Sequence, residues 1–251
     1  MKKYILFLIL IVQYSFAQQQ RKLVWEENFS GSSLNEKDWN FELGDGCPNC
    51  GWGNNERQLY TKTNHKVANN QLTIVGKKEG NTYSSTRITT QGKKEFQYGR
   101  FEARAKLPVG QGVWPAFWML GSNIKQVGWP LCGEIDILEY VGKEPHMVFT
   151  SLHTQASHGN TINTKKTKFE NIEKGFHIYA VEWTKDKMDF FVDDQLVYTF
   201  QPEQKTEATW PYNQPFYLIV NMAIGGNFGG PAVDDSILPQ EFVIDYIRVY
   251  Q

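Results

Sequence analysis

The stretch RFEARAKL, residues 100–107, alternates strictly between apolar and charged side chains. In an extended chain, Phe101, Ala103, Ala105 and Leu107 would lie on one face and the charged residues on the other. This period of two is typical of an antiparallel sheet that packs on a core with one face and meets solvent with the other. Residues 100–107 are therefore predicted to form a half-buried strand.

Further strands are predicted on both sides of this stretch, whereas helical periodicity is almost absent. Residues 176–183, 188–192 and 196–200 carry the same pattern, and Asp193-Asp194 would supply a tight turn between the last two. The closing run FVIDYIRVY, residues 242–250, is rich in β-branched and aromatic residues. We therefore expect an all-β fold, a single-domain jelly-roll β-sandwich.

Composition and charge exclude several classes of protein. With 251 residues, 41% hydrophobic and 21% charged, the chain is unlike disordered or fibrous proteins. Its 26 Lys and Arg balance 27 Asp and Glu, which argues against a basic nucleic-acid-binding surface. The eight tryptophans exceed what a core of this size needs, so some are expected to face a ligand.

The N-terminus has the composition of a signal peptide. Lys2 and Lys3 precede the apolar run of residues 4–12, and Ser15-Phe16-Ala17 ends in a small residue. We expect cleavage near Ala17, a mature domain of residues 18–251, and a secreted or periplasmic protein without a membrane anchor. A monomer is the default expectation.

The three cysteines are compatible with an exported protein, in which a disulfide can form. Cys47 and Cys50 flank Pro48-Asn49 in a Gly-rich stretch, and one such pair supplies too few ligands for zinc. A local disulfide between them is predicted, with Cys132 as a buried free thiol.

The segment GEIDILE, residues 133–139, places three acids on one predicted strand. Two isoleucines alternate with Glu134 and Asp136, so strict alternation would turn Glu139 toward the core at a high desolvation cost. A β-bulge near residues 137–138 would return Glu139 to the face of the other acids. The two glutamates could then bring their carboxyl groups to about 5–5.5 Å, the separation found in retaining glycosidases.

The same spacing also fits a solvated acidic strip or a calcium site on an ordinary strand. Trp114, Trp118 and Trp129 lie close in sequence, and sugar rings stack on indole. A sandwich with carboxylates and tryptophans on its concave face therefore predicts a polysaccharide cleft. Within it, Asp136 would hydrogen-bond Glu134 and, as a further negative charge, help to raise the pKa of the third acid.

Residues 133–139 resemble the active-site signature E-[ILV]-D-[IVAF]-x-E of glycoside hydrolase family 16, in its bulged version. Within that family, WGNNE at 52–56, GVWPAFWM at 112–119 and Trp129-Pro130 resemble the laminarinase-type endo-β-1,3-glucanases. The likeness runs from LVW at 23–25 to DYIRVY at 245–250, nearly the whole predicted mature chain. One acidic motif alone would be a weak signal, whereas four blocks in order are a strong one.

The resemblance implies Glu134 as nucleophile, Glu139 as acid/base and Asp136 as the assisting carboxylate. The implied substrate-binding residues are Trp129 beside the cleaved sugar, Trp114 and Trp118 on the glycone side, Asn54 and Arg87 on sugar hydroxyls, and His153 near the acid/base. Arg87 and Trp118 could instead simply support the sheet, and His153 could be a structural hydrogen-bonding residue.

Two further implications concern a loop and a metal. Phe228 stands where related proteins often carry Trp; its smaller ring without an N–H donor predicts weaker glycone binding. Many family members hold a structural calcium on the convex side, and Glu27, Asn70 and Asp245 fall at roughly the positions of its ligands. No cofactor is expected for catalysis.

The sequence therefore predicts a secreted, retaining endo-β-1,3-glucanase that hydrolyses laminarin-like polysaccharide through a double displacement. The alternatives within the same family are hydrolysis of mixed β-1,3/1,4-glucan or of a galactan, and a transglycosylase with the same carboxylates. A non-catalytic carbohydrate-binding module is more remote, because binding modules do not need paired glutamates.

Overall fold

Strands dominate the computed structural model, which describes residues 21–251. The predicted signal peptide, residues 1–17, lies outside the described residues. No helix within the described part of the chain is long and apolar enough to cross a membrane. The strands are β1 Leu23–Glu27, β2 Asn40–Glu42, β3 Gln58–Tyr60, β4 His65–Ala68, β5 Gln71–Glu79, β6 Thr82–Ser85, β7 Arg87–Thr89, β8 Glu95–Phe96, β9 Gly99–Lys106, β10 Val113–Gly121, β11 Glu134–Glu139, β12 Met147–His153, β13 Thr164–Lys168, β14 His177–Trp183, β15 Met188–Val192, β16 Gln195–Phe200, β17 Phe216–Ile224 and β18 Gln240–Tyr250. Short helices α1 Ile124–Val127 and α2 Gly226–Gly229 and 3-10 turns at Gly51–Gly53 and Asp235–Ile237 connect them.

The strands form two sheets that pack face to face. The outer sheet has the order β16-β15-β14-β9-β18-β5-β6-β3, with β1 beside β18 and β4 beside β5. The cleft sheet has the order β13-β12-β11-β10-β17-β7-β2, with β8 beside β17. Inward side chains of both sheets, such as Phe101, Trp183 and Phe216, share one hydrophobic core. The predicted jelly-roll sandwich is confirmed.

The predicted strands agree closely with the observed ones. Residues 188–192 coincide with β15, and the other predicted strands differ from β9, β14, β16 and β18 by one or two residues at their ends. Asp193 and Asp194 have φ of 48° and 64°, the left-handed conformation that a two-residue hairpin turn requires. One detail differs in β9, where Glu102 is buried beneath Arg100 instead of being solvated.

The tryptophans and cysteines divide between core and surface as expected. Four indoles are buried in the core, and the other four, all half-buried or exposed, belong to the cleft side: Trp52, Trp114, Trp118 and Trp129. Cys47 and Cys50 form the predicted disulfide, and Cys132 is the predicted buried free thiol.

Candidate active site

Strand β11 carries the three predicted acids on the open face of the cleft sheet. In its pairing with β10, Asp136 lies opposite Trp118 and Leu138 opposite Phe117, so Ile137 is an extra residue. The pairing with β12 shifts at the same place. Ile137 and Leu138 are both buried in the core, which leaves Glu139 on the face of the other acids. The predicted bulge is confirmed.

The register of the cleft sheet places side chains of other strands in line with the acids. Antiparallel register aligns Glu42, Arg87, Asn221, Ala116 and Glu139 in one row across β2, β7, β17, β10 and β11. A second row contains Trp118 and Asp136, and a third contains Leu120, Glu134 and His153. Because alternate residues of a strand share a face, all three rows line the same surface.

Hydrogen bonds to both the carboxylate and the backbone of Glu134 fix its position. The indole Nε1 of Trp129 donates a hydrogen bond of 2.6 Å to its Oε2. The buried hydroxyl of Tyr212 donates to the backbone oxygens of Glu134 and His153, at 3.3 and 3.1 Å, where β11 meets β12. These contacts fix the carboxylate at the edge of the exposed Trp129 ring, as expected for a residue beside the cleaved sugar.

Glu139 is oriented by a different indole. Trp114 Nε1 donates a 3.1 Å hydrogen bond to Glu139 Oε1, which leaves Oε2 for a proton. Burial raises the pKa of Glu139 well above its ordinary value of 4.5, and negative charge on the adjoining pair of Asp136 and Glu134 raises it further. A carboxyl group that keeps its proton near neutral pH can act as a general acid.

Asp136 lies between the two glutamates and is almost fully buried. Its Oδ2 is 3.2 Å from His153 Nε2, but the N–H is not directed at it, and this oxygen has no hydrogen-bond partner among the described residues. Burial, the charge of Glu134 and a hydrogen bond with Glu134 raise its pKa well above 3.8. The raised pKa favours a protonated Asp136, which can donate a hydrogen bond to Glu134, over the third full negative charge expected from the sequence.

The ring of His153 has a defined tautomer. The backbone N–H of Gly159 donates to Nδ1 at 3.1 Å, so the proton of the neutral ring is on Nε2. Nε2 faces Asp136, and Glu134 Oε1 lies 3.9 Å away. Although these three groups are close enough together for a metal ion, Nε2 carries the proton in this tautomer and offers no lone pair to a metal. The histidine predicted near the acid/base therefore contacts the nucleophile's side of the cluster.

Two predicted sugar ligands are already engaged by protein groups. Asn54 Nδ2 donates to Glu56 Oε1 at 3.3 Å, and the backbone oxygen of Asn54 accepts from Asn227. Arg87 forms an ion pair with Glu42 and is almost completely buried. Of the alternatives that the sequence left open for Arg87, these contacts favour the supporting one.

Phe228 packs against two other aromatic rings. Its ring meets the edges of Trp114 and Phe149 at centroid distances of 5.5 and 4.9 Å. The short helix α2 carries it over the cleft sheet, close to the acid/base through Trp114. The weaker glycone binding expected from Phe at this position stays a prediction.

Trp118 is linked to a network of polar side chains that was not predicted from the sequence. Trp118 Nε1 donates to Asn221 Oδ1 at 2.7 Å, and Asn221 Nδ2 donates to the hydroxyl of Tyr60 at 3.0 Å. Tyr60 in turn donates to Glu56 Oε2 at 3.1 Å. Burial raises the pKa of Glu56, which also accepts a hydrogen bond from Gln58. Only the residue spacing of WGNNE-x-Q-x-Y hinted that these side chains act together.

The positions predicted for calcium lie near the point where strand β18 changes its pairing partner in the outer sheet. Strand β18 pairs with β5 up to Ile244 and with β1 from Ile247, so the end of β1 at Glu27 and the turn at Asn70 both adjoin Asp245. Arg104 Nη1 donates to Asp245 Oδ2 at 2.6 Å. The interrupted ladder and the other carboxylate oxygen of Asp245 fit a hard cation held mainly by carbonyl groups.

The raised pKa values of Asp136 and Glu139 make stability depend on pH. Both carboxyls bind protons more tightly in the folded chain, so their stabilising contribution is complete below about pH 4 and is lost as pH rises through the raised values. We expect Glu139→Gln to raise the melting temperature relative to wild type at pH 9 and to do so much less at pH 5. Melting curves of both proteins across this range test it; a difference independent of pH would contradict it.

Comparisons with known proteins identify relatives of this chain. The model of the family Glycosyl hydrolases family 16 matches residues 53–248. A beta-glucanase of Rhodothermus marinus is 40% identical over 248 residues, covering 92% of this chain and 85% of that protein. A glucan endo-1,3-beta-glucosidase of Cryptopygus antarcticus is 34% identical, with 96% of each chain covered. The crystal structure of a laminarinase from Flavobacterium sp. UMI-01 is 79% identical, has a TM-score of 0.91, and covers 92% of this chain and 100% of its own.

Proposed function

Since the chain belongs to glycosyl hydrolase family 16, we propose that it is a retaining endo-β-1,3-glucanase acting on laminarin-like polysaccharide. The observation that carries the proposal is the bulged strand β11, which presents Glu134, Asp136 and Glu139 on one face with a separate indole donor on each glutamate. Relatives named as laminarinases and endo-1,3-glucosidases support β-1,3-glucan as the substrate.

In the first step, Glu134 attacks the anomeric carbon while Glu139 protonates the glycosidic oxygen. The bond between the anomeric carbon and that oxygen breaks, and the sugar is left joined to Glu134 as a covalent ester. Asp136 donates a hydrogen bond to Glu134 and orients it. Because burial raises the pKa of Glu139, this residue holds a proton that it can transfer to the leaving oxygen.

In the second step, water replaces the departed sugar. Glu139, now ionised, accepts a proton from this water as it attacks the anomeric carbon, and the bond to Glu134 breaks. Two inversions give net retention, so the new reducing end is the β-anomer. In both steps, Trp129 holds the carboxyl group of Glu134 in position and Trp114 holds that of Glu139.

The proposal is tested by measuring reducing ends released from laminarin, mixed-linkage β-glucan and agarose, beside a Glu134→Ser control. Release mainly from laminarin, lost in the variant, would support the proposal. Preference for mixed-linkage glucan or agarose would move the assignment to the corresponding hydrolase. Products longer than the substrate would indicate a transglycosylase. If the wild type released no reducing ends from any of the three polymers, the proposal would be rejected.

We also propose that the protein is exported after cleavage near Ala17. The charged and apolar pattern of residues 1–17 supports this, as does the disulfide Cys47–Cys50, because disulfides persist in oxidising compartments. The mass of the protein recovered outside the cytoplasm should correspond to a chain beginning at Gln18. An uncut chain in the cytoplasm would contradict this.

A structural calcium beside Asp245 is proposed as well. The backbone carbonyls of Glu27 and Asn70 and one carboxylate oxygen of Asp245 would hold it, with water completing its shell. We expect chelation with EDTA to lower the melting temperature of wild type and Ca²⁺ to restore it, because binding to the native state alone stabilises that state. Asp245→Ala should abolish the response, and a wild type indifferent to EDTA and added Ca²⁺ would refute the site.

A further inference from the structure

We propose that Arg87 is a positioning residue: its guanidinium, sandwiched between the indoles of Trp52 and Trp118, fixes one end of the cleft. The consequence for catalysis rests on the proposed function, whereas the positioning itself belongs to the unliganded protein. The resemblance had implied a direct contact between Arg87 and sugar hydroxyls. The geometry adds an action through the two indoles.

The guanidinium carbon of Arg87 lies 4.4 Å from the ring centroid of Trp52 and 4.9 Å from that of Trp118. Both distances are within the range of cation–π contacts, and indole is the best aromatic partner for a cation. Nε donates to the carboxylate of Glu42 on the neighbouring strand β2. The side chain is only 10% exposed, so these contacts form in a desolvated site where they are strongest.

Each indole is anchored to a different part of the molecule. Trp118 belongs to β10, directly opposite Asp136, and hydrogen-bonds Asn221 on β17. Trp52 belongs to the disulfide loop, residues 44–57, which contains the Cys47–Cys50 bridge. The Arg87 sandwich therefore ties this loop to the strand that neighbours the catalytic acids.

The disulfide loop holds Trp52 in an unusual conformation. Trp52 has φ of 55°, in the left-handed region, and its Nε1 donates to Gly44 O at 3.4 Å. A Cβ on Gly46 would lie 2.8 Å from Cδ2 of the indole, so the ring is pressed against the Gly46 backbone. With Gly46 and the Arg87 guanidinium both packed against it, the ring has little freedom to change position.

The planar guanidinium is essential to this role. Arginine can stack between two rings and still donate from Nε in its own plane, whereas the ammonium group of lysine is a compact, strongly hydrated charge. Arg87→Lys therefore keeps the charge but loses the sandwich. Glu42→Gln keeps Arg87 and weakens only its anchor, so its effects should be in the same direction and smaller.

The test compares Arg87→Lys and Glu42→Gln with Arg248→Lys as the matched control. Arg248 stacks on Tyr246 in the outer sheet, 3.8 Å from the ring centroid, away from the cleft. Two quantities are measured for each protein: the near-UV circular dichroism of the unliganded chain, and kcat and KM for laminarin. The far-UV spectrum shows whether each variant is folded.

We expect Arg87→Lys to alter the tryptophan bands of the near-UV spectrum and to raise KM about tenfold, the equivalent of a cation–π contact of ordinary strength. The value of kcat should change much less, because Glu134 and Glu139 keep their own indole donors. Arg248→Lys should leave the tryptophan bands, kcat and KM as in wild type.

Two results would overturn the proposal. A raised KM with an unchanged near-UV spectrum would mean that Arg87 affects binding without positioning the indoles, and an unchanged KM would mean that the sandwich does not matter for binding. If Arg87→Lys fails to fold, Glu42→Gln decides between the same outcomes. Failure of the proposed function appears separately, as a wild type inactive on laminarin, and the near-UV spectra still test the positioning.

Discussion

Glu134→Gln is expected to lower kcat on laminarin by on the order of 10⁴-fold or more, with the fold and melting behaviour retained. Glutamine keeps the size of the side chain and can still contact Trp129, but its amide cannot form the covalent bond to the anomeric carbon. Both steps of the double displacement need that bond. The measurement is the rate of reducing-end release, with Glu203→Gln, an exposed acid outside the cleft, as the matched control.

Glu134→Ala gives a sharper form of the same test. Removing the side chain leaves room for a small anion on the face from which the nucleophile attacks. Azide should then restore cleavage of a substrate with a good leaving group and give an α-glycosyl azide by a single inversion. Cleavage of laminarin at the wild-type rate by either Glu134 variant would contradict the assignment of the nucleophile.

Glu139→Gln is expected to lower kcat/KM on laminarin by about 10²–10⁴-fold, the usual contribution of a general acid. The loss should be much smaller in the first step for an aryl glycoside whose leaving group needs no proton. For wild type, kcat/KM should fall as pH rises through the raised pKa of Glu139, because the ionised carboxylate has no proton to donate. In Glu139→Gln, this fall of kcat/KM at alkaline pH should be absent.

The azide test separates the two glutamates. In Glu139→Ala, the ester on Glu134 still forms from an activated substrate, and azide attacks it from the opposite face to give a β-glycosyl azide. The two alanine variants should therefore yield azides of opposite configuration. The same anomer from both, or an unaltered pH profile in Glu139→Gln, would overturn the assigned roles.

The strands and the bulge were predictable because both depend on local alternation. RFEARAKL keeps its period of two and forms β9, whereas in EIDILE the period fails at Glu139. Burying an unpaired carboxylate in the core costs much free energy, and a β-bulge of one extra residue avoids that cost. The disulfide could be predicted for a similar reason, since Cys47 and Cys50 are close in sequence.

The state of Asp136 and the role of Arg87 could not be derived in this way. Burial in the folded sheet raises the pKa of Asp136, and the spacing of three acids does not reveal that burial. Arg87 meets Glu42, Trp52 and Trp118 only because the folded sheet places β2 beside β7 and β10 one strand further away on the other side, and because the turn at Gly51–Gly53 brings Trp52 to the same place. The resemblance supplied a list of residues in the cleft, but the contacts that decide what each residue does are between distant parts of the chain.

The most direct test of the central claim is the configuration of the first product. Proton NMR of laminarin digestion, recorded before mutarotation equilibrates the anomers, should show new reducing ends that appear as β and only later acquire the α signal. That order requires two inversions and hence a covalent intermediate on a nucleophile such as Glu134. New ends that appear first as the α-anomer would require a single inversion and would contradict the account.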